Sequence, residues 1–270
     1  MKGVSTSTSI LKGTPEAPMP FDEVLGRIAE AGYEQIEVSR RHKDFVQAAQ
    51  AAERSGLKVW SVHGNLGGDA VSSDESVRKQ AVEQERVRLE EAAGFAPCPY
   101  VVHYLDRFHD PAAGRAFRKS IEELHRAAEP LGIAIAIETV PDKVANERFP
   151  DSAETTGFVR SFNSPFMGMC LDVNHANLGE DLFAVIKNCN GIIADIHVSD
   201  NHGVTEDHLL PGEGSIDLPG AMRAIHEAGY AGPLNLECRY PGDPPKEVLV
   251  RMRKWAEGIL EAIGQPARRG

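Results

Sequence analysis

The sequence predicts a single (β/α)8 barrel of the α/β class over residues 1–270, and three observations predict it. Short apolar runs recur along the chain, amphipathic helical patterns separate them, and glycines mark the junctions. The runs are Val4–Ile10, Gln35–Ser39, Lys58–His63, Tyr100–Tyr104, Ile133–Glu138, Met167–Asp172, Ile192–His197 and Leu234–Glu237, eight in all. Among the helical patterns, Phe117, Ile121, Leu124 and Ala128 share one face, as do Val248, Met252, Trp255 and Ile259. Gly32, Gly56, Gly94, Gly132 and Gly229 each stand just before the next run, where a left-handed C-cap would end a helix. A doubly wound open sheet competes with the barrel. It calls for a glycine-rich first turn, and LKGTPEAPMP after the first run contains no GxGxxG.

Composition narrows the function classes. Hydrophobic residues make up 41% of the chain and charged residues 26%, the balance of an ordinary globular protein. MKGVSTSTSI lacks the apolar core of a signal peptide, and no apolar run nears the ~18 residues of a membrane span. The expectation is a cytoplasmic protein with no membrane partner. The four cysteines, Cys98, Cys170, Cys189 and Cys238, form no CxxC pair and read as reduced, buried thiols. A net charge of −11 argues against nucleic acid as the main partner, because such binding draws on Lys and Arg at phosphates. The C-terminal ARRG reads as a solvated tail, and self-association into a homo-oligomer stays open.

Barrel enzymes place their chemistry at the C-terminal ends of the strands. In MCLDVNHANLGE, Asp172 ends a run that reads as buried, and a lone buried carboxylate costs several kcal/mol unless something compensates it. The third run ends in His63, the fourth carries His103 and the fifth ends in Glu138. The sixth ends in Asp172, the seventh in His197 and the eighth in Glu237. Any one of these has an ordinary reading as a core histidine or a salt-bridge partner. Six in succession is a different matter: unpaired, the acids among them would repel around one ring, and a divalent cation relieves that repulsion while accepting both donor types.

Further candidates flank this set. His175 lies three residues beyond Asp172, and EDHLLPGEG supplies Glu206 and His208. Its Gly212 and Gly214 could cradle a phosphate, but a tight turn into the next helix is the simpler reading. Glu37, ending the second run, could reach the pocket, but a salt bridge at the barrel rim is the expectation, and Trp60 is expected against an outer helix. Arg239 is expected to face the pocket, holding a substrate anion or pairing with a neighbouring acid.

Taken together, LDVNH, IHVSD, DHLLPGEGSID and LNLEC, in that order, resemble the xylose isomerase-like barrels. That sugar (phosphate) isomerase/epimerase superfamily also includes the apurinic-site nucleases of the endonuclease IV type. The resemblance implies one divalent cation, most often Mn2+ with Mg2+, Co2+ or Zn2+ as alternatives, on Glu138, Asp172, His197 and Glu237. It implies a metal-dependent sugar isomerase or epimerase in which Glu138 and Glu237 transfer the proton. His175 would contact the substrate, with His63, His103 and Arg239 nearby. The nuclease branch implies a multinuclear phosphoesterase instead, with His63, His103, His175, Glu206 and His208 as added ligands. The acidic balance, and loops read as poor in arginine, favour a small sugar or polyol over DNA.

Overall fold

The computed structural model describes residues 1–105, 110–138, 140 and 152–265. The strands are β1 (Val4–Ser7), β2 (Gln35–Val38), β3 (Lys58–His63), β4 (Pro99–His103), β5 (Ala134–Glu138), β6 (Met167–Asp172), β7 (Ile193–His197) and β8 (Leu234–Leu236). All pair in parallel in the order β7-β6-β5-β4-β3-β2-β1-β8. A parallel bridge between Val198 and Leu236 brings the two ends together, so the sheet curls into the expected barrel. ARRG at 267–270 lies outside the described residues.

Around the strands run α1 (Phe21–Glu30), α2 (Phe45–Ser55), α3 (Glu75–Glu91), α4 (Pro111–Ala128), α5 (Ser152–Arg160), α6 (Val173–Gly179), α7 (Leu182–Asn188), α8 (Leu218–Glu227) and α9 (Lys246–Ala262). Six of them begin on an aspartate cap: Asp44, Asp74, Asp110, Asp172, Asp181 and Asp217. Each such carboxylate accepts an otherwise unpaired first-turn N–H, stabilising its helix by about 1 kcal/mol. Part of the chain's acidity is therefore structural. No described helix is long and apolar enough to cross a membrane, and all four cysteines are buried and unbridged.

Three local expectations are corrected. β1 stops at Ser7 because the Ser7 side chain accepts from Ser9 N and turns Thr8–Ile10 into a 3-10 helix. Gly32, Gly56, Gly132 and Gly229 have positive φ as expected, but Gly94 sits inside a 3-10 helix instead. The buried stripe of α9 is Leu249, Met252, Arg253, Ala256 and Leu260, so Val248, Trp255 and Ile259 only flank it. The Arg253 guanidinium donates to Ala31 O at 2.8 Å, drawing its stem inward and rotating the helix face.

A fourth correction reaches the barrel interior. The β2–β3 register jumps between Ile36/Glu37, where Val59 and then Ser61 are the partners, leaving Trp60 as the extra residue of a bulge. The Trp60 indole accordingly donates to Asp195 Oδ1 at 2.8 Å, not to an outer helix. Small side chains, Val101, Ala136, Cys170 and Ala194, fill the barrel's middle.

Candidate functional site

Alternation along each strand carries the strand-end residues inward at one level. His103 is paired in register with Glu138, and Asp172 with His197. Asp172 also terminates β6 as a helix cap: its Oδ1 accepts from Asn174 N at 2.7 Å and His175 N at 3.1 Å. That cap starts α6 and returns His175 over the barrel mouth, with Nδ1 3.4 Å from Asp172 Oδ2 and from Glu138 Oε1. One residue thus ends a strand, begins a helix and keeps one oxygen for the site.

The donors converge on Glu138 and His197. His197 Nδ1 lies 3.1 Å from Glu138 Oε1 and 3.1 Å from Glu237 Oε2. On its other oxygen, Glu138 meets His63 Nε2 at 3.3 Å and His103 Nε2 at 3.4 Å. Donor atoms of Glu138, Asp172, His197 and Glu237 all lie within 4.8 Å of one another. Two further groups share members with this set at the same spacing: His63, His103 and Glu138, and Asp172, His175 and His208. All six strand-end residues foreseen from the sequence are therefore brought together.

Electrostatics show how these charges tolerate burial. Burial pushes the Glu138 carboxyl up, but the His197, His63 and His103 imidazoles outweigh it and hold Glu138 well below the usual carboxylate range. Glu237 follows the same pattern and comes down to about 2 beside His197. Burial wins at Asp172, which is raised. Burial likewise pushes His103 down to about 3, whereas the carboxylates of Asp172, Glu206 and Glu138 overcome it at His175 and raise that imidazole to about 9.

Three carboxylates and one imidazole suit a hard divalent cation such as Mn2+ or Mg2+, with Zn2+ better matched to the histidine-rich groups. Glu138 Oε2 and Asp172 Oδ2 are buried without a well-formed hydrogen bond, as oxygens reserved for a cation would be. The residues present fit the group.

Glu37 was read as a rim salt bridge, and the structure places it elsewhere. It is fully buried beneath the site, where His197 Nε2 donates to its Oε2 at 2.8 Å. Ser61 Oγ donates to the same oxygen at 3.2 Å. With a carboxylate on Nε2, His197 turns its Nδ1 atom toward Glu138 and Glu237, the orienting arrangement found behind metal-binding histidines. Strand alternation could have flagged Glu37, since it falls on the inward face of β2 with Ser61 as its register partner.

The outer candidates divide. Arg239 Nη2 pairs with Glu206 Oε1 at 2.8 Å, and Glu206 also meets His208 Nε2 at 3.2 Å. His208 has φ of 50°, unusual outside glycine, and its Nδ1 lies 3.0 Å from Glu237 O. The PGEG turn is closed from within: Asp200 carboxylate oxygens accept from Asn201 N, Gly212 N and Ile216 N at 2.9, 3.0 and 3.1 Å. Within the turn Gly212 N is spent on Asp200 and Glu213 N on Leu210 O, which agrees with the tight-turn reading over a phosphate cradle.

Above the donors opens a cavity of about 400 Å³. It is lined by His63, His103, His175 and Glu237, and by Lys12, Arg40 and Arg41 as well. The reading of the loops as poor in arginine overlooked these cations.

Comparison with known proteins follows the same lines. The sequence profile described as xylose isomerase-like TIM barrel matches residues 25–259. A ketose 3-epimerase of Arthrobacter globiformis is 24% identical over 219 residues, 77% of this chain and 74% of that protein. The L-ribulose-5-phosphate 3-epimerase UlaE of Escherichia coli is 23% identical over 206 residues, 72% of this chain and 68% of that one. A D-tagatose 3-epimerase-like protein superposes with a TM-score of 0.79 at 21% identity, covering 98% of both chains. An L-ribulose 3-epimerase gives 0.80 at 17% identity, covering 98% of this chain and 96% of that one. At these identities the superpositions show the fold. With its profile spanning most of the length, the chain belongs to the xylose isomerase-like TIM barrel family.

Proposed function

We propose that this chain is a divalent-metal-dependent isomerase or epimerase of a ketose-type sugar. The observation that carries the reading is the pair of glutamates, Glu138 and Glu237, each 3.1 Å from the same His197 Nδ1 and reaching it from β5 and from just beyond β8. Glu138, Asp172, His197 and Glu237 would hold the cation, Mn2+ best matching the oxygen-rich set. When bound, it supplies a Lewis acid that makes a C–H beside the substrate carbonyl more acidic. The Glu138 or Glu237 carboxylate then takes that proton, and the opposite glutamate returns one to the enediolate. Return to the same carbon from the other face epimerises the sugar, whereas return to its neighbour isomerises it. His175 orients substrate hydroxyls from α6, and Glu37 keeps the His197 ring from turning.

The relatives named above act on ketoses or a ketose phosphate by their own descriptions, which supports a sugar substrate. The test is exchange of a substrate C–H for solvent deuterium, followed by proton NMR with the Mn2+-loaded chain and a panel of ketoses. Exchange that is lost in a folded Glu138→Gln protein supports the assignment, and undiminished exchange in that variant sinks it.

A multinuclear phosphoesterase is the second reading, favoured by one contact. His63 Nε2 and His103 Nε2 lie 3.3 Å apart beside Glu138, as donors of an additional metal would. Metal content separates the two readings: about one ion per chain fits the isomerase, and two or three that fall on His63→Ala substitution fit the phosphoesterase.

A further inference from the structure

Eight arginines among the described residues have an acid beside them. Arg54 pairs with Asp22, Arg78 with Glu75, Arg118 with Glu122 and Arg251 with Glu213. With 40 acidic against 29 basic residues, a cation finds a carboxylate easily. Other cations lack an acid too, but Lys12, Arg40 and Arg41 differ in position: all three are exposed, line the cavity and make no ion pair among the described residues. Unpaired cations gathered at a cavity mouth raise the local positive potential and draw anions in.

The wall that carries them is held by the scaffold. Ser39 N donates to Thr8 Oγ1 at 2.9 Å, tying the segment after β2 to the one after β1. An Arg41 Nη1 donates to Ser9 O at 3.4 Å across the same seam. Lys12 N and Gly13 N donate to Asp243 Oδ1 at 2.8 and 3.1 Å, tying the β1 segment to the one after β8. Asp243 is thus engaged by backbone amides and forms no ion pair with the Lys12 ammonium. Arg40 and His103 line the same cavity, so the cationic wall shares it with the acid and imidazole cluster.

We propose that Lys12, Arg40 and Arg41 form a subsite for a terminal anionic group, so that the substrate is a ketose bearing a phosphate monoester or a carboxylate at the end remote from Glu138 and Glu237. This rests on the ketose reading given above and names its substrate class. Planar guanidinium groups bind both anions bidentately, and two of them side by side suit either. The cavity then offers a substrate both the proton-transfer carboxylates and a cationic wall. A substrate charged at one end enters it in one direction only.

The experiment compares kcat/KM of the Mn2+-loaded full chain for a ketopentose 5-phosphate, the same free ketopentose and a keto-aldonate. The expected result is a preference of at least ~30-fold for an anionic substrate, the scale of about one charge-assisted hydrogen bond. Which anion is preferred identifies the source. In Arg40→Gln/Arg41→Gln protein the ratio should fall to about threefold or less, while Lys254→Gln on the outer face of α9 should keep it. A ratio near one in the wild type, or one unmoved by the double substitution, overturns the subsite. Titration of the metal-free chain with inorganic phosphate, followed by 31P NMR, separates the two readings. Phosphate binding that depends on Arg40 and Arg41, with no turnover of any ketose, rejects the isomerase and leaves the subsite standing. Equal turnover of free and charged ketoses does the reverse, and preference for an oligonucleotide over both small anions rejects the subsite as drawn.

Discussion

The two halves of the barrel mouth solve the problem of charge in opposite ways. On the β5–β8 side, Glu138, Asp172 and His197 are almost wholly shielded from water, and every charge has a counter-charge within about 3.5 Å. On the β1–β2 side, Lys12, Arg40 and Arg41 are exposed and unpaired among the described residues. Buried charges must be placed and compensated by the fold itself, because water cannot do it. Exposed ones are solvated already and remain available to a ligand. The difference teaches that the deep half holds its charges by internal compensation and the outer half leaves them to solvent.

The hardest blow to this contrast falls on the deep half. Glu138→Gln should lower turnover by about 10³-fold, the usual scale for a lost proton-transfer group, with a fall in melting temperature no larger than chelation causes, since it also weakens the metal site. Steady-state rates beside a thermal melt decide it. Chelation of the metal should abolish turnover and lower the midpoint by roughly 5–10 °C, since an ion that binds only the folded chain stabilises it by mass action. Differential scanning calorimetry with and without chelator reads this directly, and an unchanged midpoint would mean the cluster holds no ion.

A finer probe sits beneath the site. Glu37→Gln should weaken metal binding by about 10–100-fold, because the amide orients the His197 ring less firmly than the carboxylate. Competition with a chromophoric chelator measures the loss, and native affinity in that variant would reduce Glu37 to packing. Asp200→Asn should leave metal affinity alone but destabilise the chain by roughly 2 kcal/mol, since its carboxylate gathers three backbone amides. Urea unfolding tests that number. At the far end of the scale, Arg54→Ala should change stability by less than about 0.5 kcal/mol, because both members of its pair with Asp22 are largely exposed.

Much of the deep half was legible from residue order. Strand alternation is a local rule, so an inward-facing end residue can be picked out from its own run, and Glu138, Asp172, His197 and Glu237 were found that way. Glu37 escaped because its partner, His197, is 160 residues away and becomes adjacent only when the barrel closes. Trp60 escaped for a related reason: one extra residue in β3 reverses which face a side chain takes, and nothing in LKVWSVH marks the bulge. Arg40 and Arg41 were passed over because an exposed arginine is ordinary, and only the cavity makes those two different.

By itself, then, the sequence determined the number and order of strands, the level at which donors stand and the aspartates that start helices, all through contacts between near neighbours. The tertiary structure alone decided which donors share a partner, that Glu37 backs His197, that Asp200 occupies the glycine turn and that cations and acids line one cavity. The physical reason is range. Alternation and capping act over a few residues, whereas pairing across a barrel depends on register and closure, which the whole chain settles together.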